Sequence, residues 1–146
     1  MSHVRIWVHA VWGTKNHDPL IHDSFRVPLV QHIKKNAVTK GMYISLINGT
    51  PNHVHCLLTL NADFSISKTI NLIKGEASHW INQQGILSQK FEWSDEYFAA
   101  SVSESRVPYV RQYILDQQEH HRKKSFEDEY QKFLNELRSN ENKDAE

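Results

Sequence analysis

The stretch Met42-Tyr43-Ile44-Ser45-Leu46-Ile47-Asn48-Gly49-Thr50-Pro51-Asn52-His53-Val54-His55-Cys56-Leu57-Leu58-Thr59-Leu60 decides the fold. Two runs rich in β-formers flank Gly49-Thr50-Pro51, so residues 42–48 and 52–60 read as strands joined by a tight turn. Their short spacing makes them an antiparallel hairpin. Side chains alternate faces along a strand, so His53 and His55 share one face while Val54 and Cys56 take the other. Two imidazoles pointing the same way can hold one metal ion. They are also what two polar residues on a solvated face look like, and the hairpin alone leaves both readings open.

Outward from the hairpin, residues 4–12 carry two tryptophans and three valines and read as a buried strand. This run is too short, and too interrupted by Arg5 and His9, for a signal peptide or a membrane span. From Asp23 to Lys40 the apolar residues Phe25, Leu29, Ile33 and Ala37 recur every four positions, the stripe of an amphipathic helix that Gly41 stops. Ser65 to Gln84 repeats the pattern with Ile66, Ile70, Ile73 and Ala77, and Gly85 ends it. Phe91 to Ser103 reads as a fourth strand, Ser105 to Arg122 as a helix, and Ser125 with Asp128 as the capping box of another. The order β-α-β-β-α-β is the split βαβ signature of an α+β, ferredoxin-like antiparallel sheet with helices on one face and further helices at the C-terminal end. In that topology the first and third strands are central, which puts the histidine pair in mid-sheet. Residues 1–138 form one domain in this reading, and the acidic residues 139–146, with nothing to bury, form a disordered tail.

A chain of 146 residues with 39% hydrophobic side chains can bury one core without staples. The single cysteine, Cys56, rules out an internal disulfide framework and fits a reducing cytoplasm. Net charge is zero but uneven: residues 1–124 hold 14 basic against 10 acidic side chains, and residues 125–146 hold 3 against 7. A mildly basic body permits a nucleic-acid partner without demanding one.

In the helix beginning near Arg106, the spacing places Val107, Val110 and Ile114 on the core stripe, with Tyr113 and Gln117 flanking it. His53-Val54-His55 after Asn52, followed two elements later by Tyr113-Ile114-Leu115-Asp116-Gln117 and the run Gln118 to Phe126, resembles the single-tyrosine HUH transposases of small bacterial insertion sequences and their REP-associated relatives. The resemblance covers nearly the whole chain.

What it implies is a metal-dependent enzyme that cleaves and rejoins single-stranded DNA at hairpin ends through a covalent phosphotyrosine. Tyr113 is then the nucleophile, and His53, His55 and Gln117 hold a divalent metal, Mg²⁺ or Mn²⁺. A phenol is only about one part in a thousand ionised at pH 7, so it needs such help to attack phosphorus. One phosphoester replaces another, so neither ATP nor an organic cofactor is needed. The resemblance also implies a homodimer, in which the tyrosine and the histidines can come from different subunits, and no membrane association. Lys34, Lys35, Lys68, Lys74, Arg106, Arg111, Arg122, Lys123 and Lys124 are the candidate phosphate contacts. Many relatives carry Asp in place of Asn52, whose side chain, by strand alternation, is expected to face away from the metal and tune the turn. Two rival readings stand beside this one: a non-catalytic module that only grips DNA hairpins, and a ferredoxin-like domain whose histidines hold a structural ion.

Overall fold

Strands β1 (Trp7–Gly13) and β3 (His53–Thr59) pair antiparallel along their whole length, from Trp7 opposite Thr59 to Gly13 opposite His53. The computed structural model describes residues 2–117 and 125–145. β2 (Tyr43–Thr50) flanks β3 and β4 (Phe98–Val102) flanks β1, giving the order β2-β3-β1-β4 with every pairing antiparallel. β1 and β3 are therefore central, as the sequence order requires. The fourth strand is shorter than the aromatic run suggests. Phe91 and Trp93 lie outside it, apart from a lone bridge between Trp93 and Thr14.

Two helices, α1 (Asp23–Thr39) and α2 (Ile66–Gln84), cover one face of the sheet. Their stripes, Phe25, Leu29, Ile33 and Ala37 on α1 and Ile70, Ile73, Ala77 and Ile81 on α2, meet Val8, Ala10, Trp12, Val54 and Cys56 in the main core. The Ser65 hydroxyl caps α2 by accepting from the Lys68 amide at 3.0 Å, and Gly85 closes it with φ 63°, a conformation that favours glycine.

The opposite face carries His9, Val11, His53, His55 and Phe98. α3 (Val107–Leu115) and α4 (Phe126–Ala145) lie over it. α3 ends at Leu115 and not near Arg122, because Asp116 leaves helical geometry and its amide closes back on Gln112 and Ile114. The Ser125 half of the capping box is present: Ser125 Oγ accepts from the Asp128 amide at 3.2 Å. Phe126, Tyr130, Phe133 and Leu137 then dock α4 on Val11 and Phe98. The helical backbone of α4 continues to Ala145, across residues 139–145 that the sequence reading leaves unstructured.

Candidate metal and nucleophile site

Both imidazoles of the strand pair are sealed beneath the C-terminal helices: His53 is 1% exposed and His55 0%. They face the same side, as strand alternation requires, and that side is interior. Each ring is held through its Nδ1. His53 Nδ1 lies 2.8 Å from Asn52 Oδ1 and 2.7 Å from Thr50 Oγ1. His55 Nδ1 lies 2.9 Å from His9 Nε2. Asn52 thus reaches the imidazole next to it and does not face away as strand alternation suggests, because it sits at the turn, one residue before the ladder begins. A carboxamide oxygen can only accept, so it takes its hydrogen from His53 Nδ1 and orients the ring with Nε2 toward the site. His9 is buried, and that burial, reinforced by the charge of His55, pushes its pKa down to about 3, so it stays neutral.

α3 brings the second half of the site. Asn48 Nδ2 donates to the Ile114 carbonyl at 2.8 Å, and Arg111 donates to the Ser45 hydroxyl at the bulge in β2, so two polar ties clamp α3 onto the hairpin. Tyr113 is half-buried with its ring edge-on to His55, centroids 5.7 Å apart. Gln117 is fully buried; its amide donates to the Tyr113 carbonyl at 3.3 Å, leaving Oε1 3.3 Å from His53 Nε2. The histidine pair, Tyr113 and Gln117 therefore meet within this chain.

The sequence reading missed Glu129. It projects from α4, is 6% exposed, and places Oε1 2.7 Å from His55 Nε2 and 3.6 Å from His53 Nε2. Its other oxygen accepts from the Tyr113 hydroxyl at 2.6 Å. Burial alone would raise its pKa, but hydrogen bonds from His53 and His55, the charge of His55 and the tyrosine hydroxyl outweigh that and hold it well below the usual carboxylate range. The Tyr113 pKa is pushed up, first by burial and then by the hydrogen bond and charge of Glu129. A signal for Glu129 existed in the sequence. It lies three residues after Phe126 and four before Phe133, on the apolar stripe of its helix, where an acidic side chain must find a partner.

His53, His55 and Glu129 each offer a ligand atom within 4.8 Å of the others. Two ligands about 2.1 Å from one ion stand roughly 3.0–3.4 Å apart across octahedral or tetrahedral edges. Glu129 Oε1 at 3.6 Å and Gln117 Oε1 at 3.3 Å from His53 Nε2 lie in or near that range, whereas the 2.7 Å from Glu129 Oε1 to His55 Nε2 is a hydrogen-bond length. The donors are of the kind a divalent ion takes, and this last pair would part by a few tenths of an ångström to hold one.

The basic residues divide by face. Lys34, Lys35 and Lys68 stand on α1 and α2, across the sheet from the site, with Lys68 over the Phe64 ring. Lys74 is 9% exposed and donates to the Ser94 carbonyl at 2.7 Å, so it supports the chain before β4 and does not present a phosphate contact. Arg111 and Arg106 are on the site's side. Arg106 lines an open groove of about 450 Å³ that reaches His9 and Phe133. Arg122, Lys123 and Lys124 lie outside the described residues.

Residues 2–117 match the family described as Transposase IS200 like. The chain belongs to that family. The match ends at Gln117, so α4 and Glu129 lie beyond it. Among solved structures, a protein from Deinococcus radiodurans R1 described as a candidate transposase aligns with TM-score 0.65 and 22% identity, over 80% of this chain and 93% of its own. A REP-associated tyrosine transposase bound to a REP hairpin aligns with TM-score 0.59 and 18% identity, over 83% of this chain and 74% of its own. At these identities the two structures speak to the fold. A search of curated proteins finds no match.

Proposed function

We propose that the protein is a metal-dependent transposase that cleaves and rejoins single-stranded DNA, with Tyr113 as the nucleophile and hairpin-forming element ends as substrates. The observation that supports it most is that Tyr113, Gln117 and the histidine pair, about sixty residues apart in sequence, converge on one buried site. Family membership and the hairpin bound by the REP-associated relative point the same way.

His53, His55 and Gln117 would hold Mg²⁺ or Mn²⁺, and imidazole ligands favour Mn²⁺ of the two. When bound, the ion supplies positive charge against the oxygens of the scissile phosphate, where negative charge builds during attack. The rest falls to the chain. α3, tied to β2 through Asn48 and Arg111, sets the direction of the Tyr113 hydroxyl. Attack forms a bond from the Tyr113 oxygen to phosphorus and breaks the bond from phosphorus to the 3′ oxygen, which leaves with the electron pair and takes up a proton. The phenol gives up its own proton, with Glu129 Oε2 the acceptor in reach. A phosphoester replaces a phosphoester, so reversal rejoins DNA. The family resemblance also leads us to propose a homodimer in solution, which light scattering on the eluted protein tests.

The deciding experiment incubates the protein with labelled single-stranded hairpin DNA and Mn²⁺ or Mg²⁺, then runs a denaturing gel. An adduct that requires the ion and vanishes in Tyr113→Phe supports the reading. Native-gel binding without an adduct, across a panel of hairpin ends, would favour a non-catalytic hairpin-binding module.

A further inference from the structure

Glu129 is a charged side chain in a place where packing asks for none. The stripe that docks α4, Phe126, Tyr130, Phe133 and Leu137, is otherwise apolar or aromatic, and Glu129 interrupts it at 6% exposure. Gln117, whose amide donates to the Tyr113 carbonyl, brings Oε1 to 3.3 Å from His53 Nε2, and Glu129 brings Oε1 to 3.6 Å from the same nitrogen and 2.7 Å from His55 Nε2. Two imidazole nitrogens and two oxygens thus face one another in a buried space, the donor types that a divalent ion takes.

We propose that Glu129 is a ligand of the divalent ion, so that α4 closes the site with its only anionic donor among the described residues, one carboxylate oxygen serving the ion while the other anchors the Tyr113 hydroxyl. The proposal rests on the metal-dependent reading above and extends its ligand set. It divides the carboxylate between two jobs that the geometry already separates: Oε1 faces both histidine Nε2 atoms, and Oε2 faces the tyrosine. Two imidazoles, one carboxylate and one amide oxygen form a mixed donor set that suits Mn²⁺ better than Mg²⁺, which prefers oxygen and retained water. Helix α4 then becomes part of the chemistry, and its docking and ion binding strengthen each other.

Calorimetric titration of the DNA-free full chain with Mn²⁺ tests this, using wild type, Glu129→Gln, Glu129→Ala and Tyr113→Phe. Glu129→Gln keeps the side-chain shape and can still accept from Tyr113, and it then turns an amide NH2, which cannot bind a metal ion, toward the histidines in place of the carboxylate oxygen. Loss of an outer-shell partner already weakens metal binding by about tenfold or more, so loss of this ligand should weaken Mn²⁺ binding at least as much in both Glu129 variants. Tyr113→Phe removes only a partner of Glu129 Oε2 and keeps the carboxylate, so it should weaken binding less than either Glu129 variant. The Mn²⁺-induced rise in melting temperature is the second readout, with each variant's melt in chelator as its folding control, and it should shrink in Glu129→Gln. Wild type that binds Mn²⁺ while both Glu129 variants bind it equally or more tightly would overturn the proposal alone and make Glu129 an occupant that the ion must displace. Wild type that binds no Mn²⁺ would overturn the proposal and the metal-dependent reading together.

Discussion

Tyr113 donates its phenolic hydrogen to Glu129 Oε2 across 2.6 Å, so the side chain with the chemistry of a nucleophile and the carboxylate beside the histidine pair form one hydrogen-bonded unit. Burial raises the tyrosine pKa and the carboxylate raises it further. Replacing Glu129 with Gln removes the charge and leaves the burial. The phenolate of Tyr113 should then appear at lower pH than in wild type while staying above the ordinary tyrosine range. Absorbance titration of each protein against its own Tyr113→Phe counterpart isolates this one ring. An unchanged titration would mean that burial alone sets it.

Asn52 offers a second handle on the site. Its Oδ1 accepts from His53 Nδ1 at 2.8 Å and so orients the ring. Asn52→Ala removes that acceptor while Thr50 Oγ1 remains at 2.7 Å. Mn²⁺ affinity should fall by about tenfold, the scale on which outer-shell partners act. Asn52→Asp keeps an oxygen in the same place and adds charge that makes the imidazole a better ligand, so affinity should hold or rise. A weaker Asn52→Asp would show that Asn52 serves the turn and not the ring.

These two residues mark how far the sequence could be read. α1 was legible because Phe25, Leu29, Ile33 and Ala37 report a local period, and the sheet order followed from element order. The extent of β4 was not. Phe91 and Trp93 have strand composition, but they are pinned by side chains from α2: Asn82 brackets the Phe91 backbone at 2.7 and 3.1 Å, and the Lys74 carbonyl accepts from Trp93 Nε1. Such ties join distant residues and leave no local pattern. In the site, His53, His55, Tyr113 and Gln117 were readable by motif, whereas Glu129 carried only the signal of an acidic side chain on an apolar stripe, and no local pattern names the two imidazoles as its partners.

His9 should make stability depend on pH. Its folded pKa is depressed to about 3 from an ordinary value of 6.5, chiefly by burial and then by the charge of His55. Between those values the unfolded chain binds the extra proton and the folded chain does not, so stability falls as pH drops below 6.5 and keeps falling toward 3. At pH 5 the loss is about 2 kcal/mol, from roughly 1.4 kcal/mol per pH unit. Urea unfolding of metal-free protein across pH 5–7 should show this slope, and His9→Gln should flatten it. Parallel slopes in the two proteins would assign the effect to other groups.

Faces of the sheet separate the basic residues. Lys34 and Lys35 stand on α1, across the sheet from the histidines, whereas Arg106 lines the groove that reaches His9. Arg106→Ala should weaken binding to single-stranded hairpin DNA and lower the slope of log K against log salt by about one. A Lys34→Ala, Lys35→Ala double variant should leave both nearly unchanged. The reverse pattern would move the DNA path to the α1 face.

Gly13 tests whether α4 must be seated for the site to work. A Cβ at this position would lie 2.7 Å from Phe126 Cε1 and 3.3 Å from the Asn52 carbonyl oxygen. Phe126 stacks on His53 with centroids 4.2 Å apart, so a side chain at Gly13 presses on the residue that holds the start of α4 against the histidine pair. Overpacking of this kind costs about 1–3 kcal/mol. Gly13→Ala should therefore lower the melting temperature and, by shifting α4 and Glu129 with it, weaken Mn²⁺ binding. Trimming the ring in Phe126→Leu opens the space, so the double variant should lose less stability than the two single losses combined. Additive losses would mean that strand and helix adjust independently, and unchanged Mn²⁺ affinity in Gly13→Ala would uncouple helix seating from the ion.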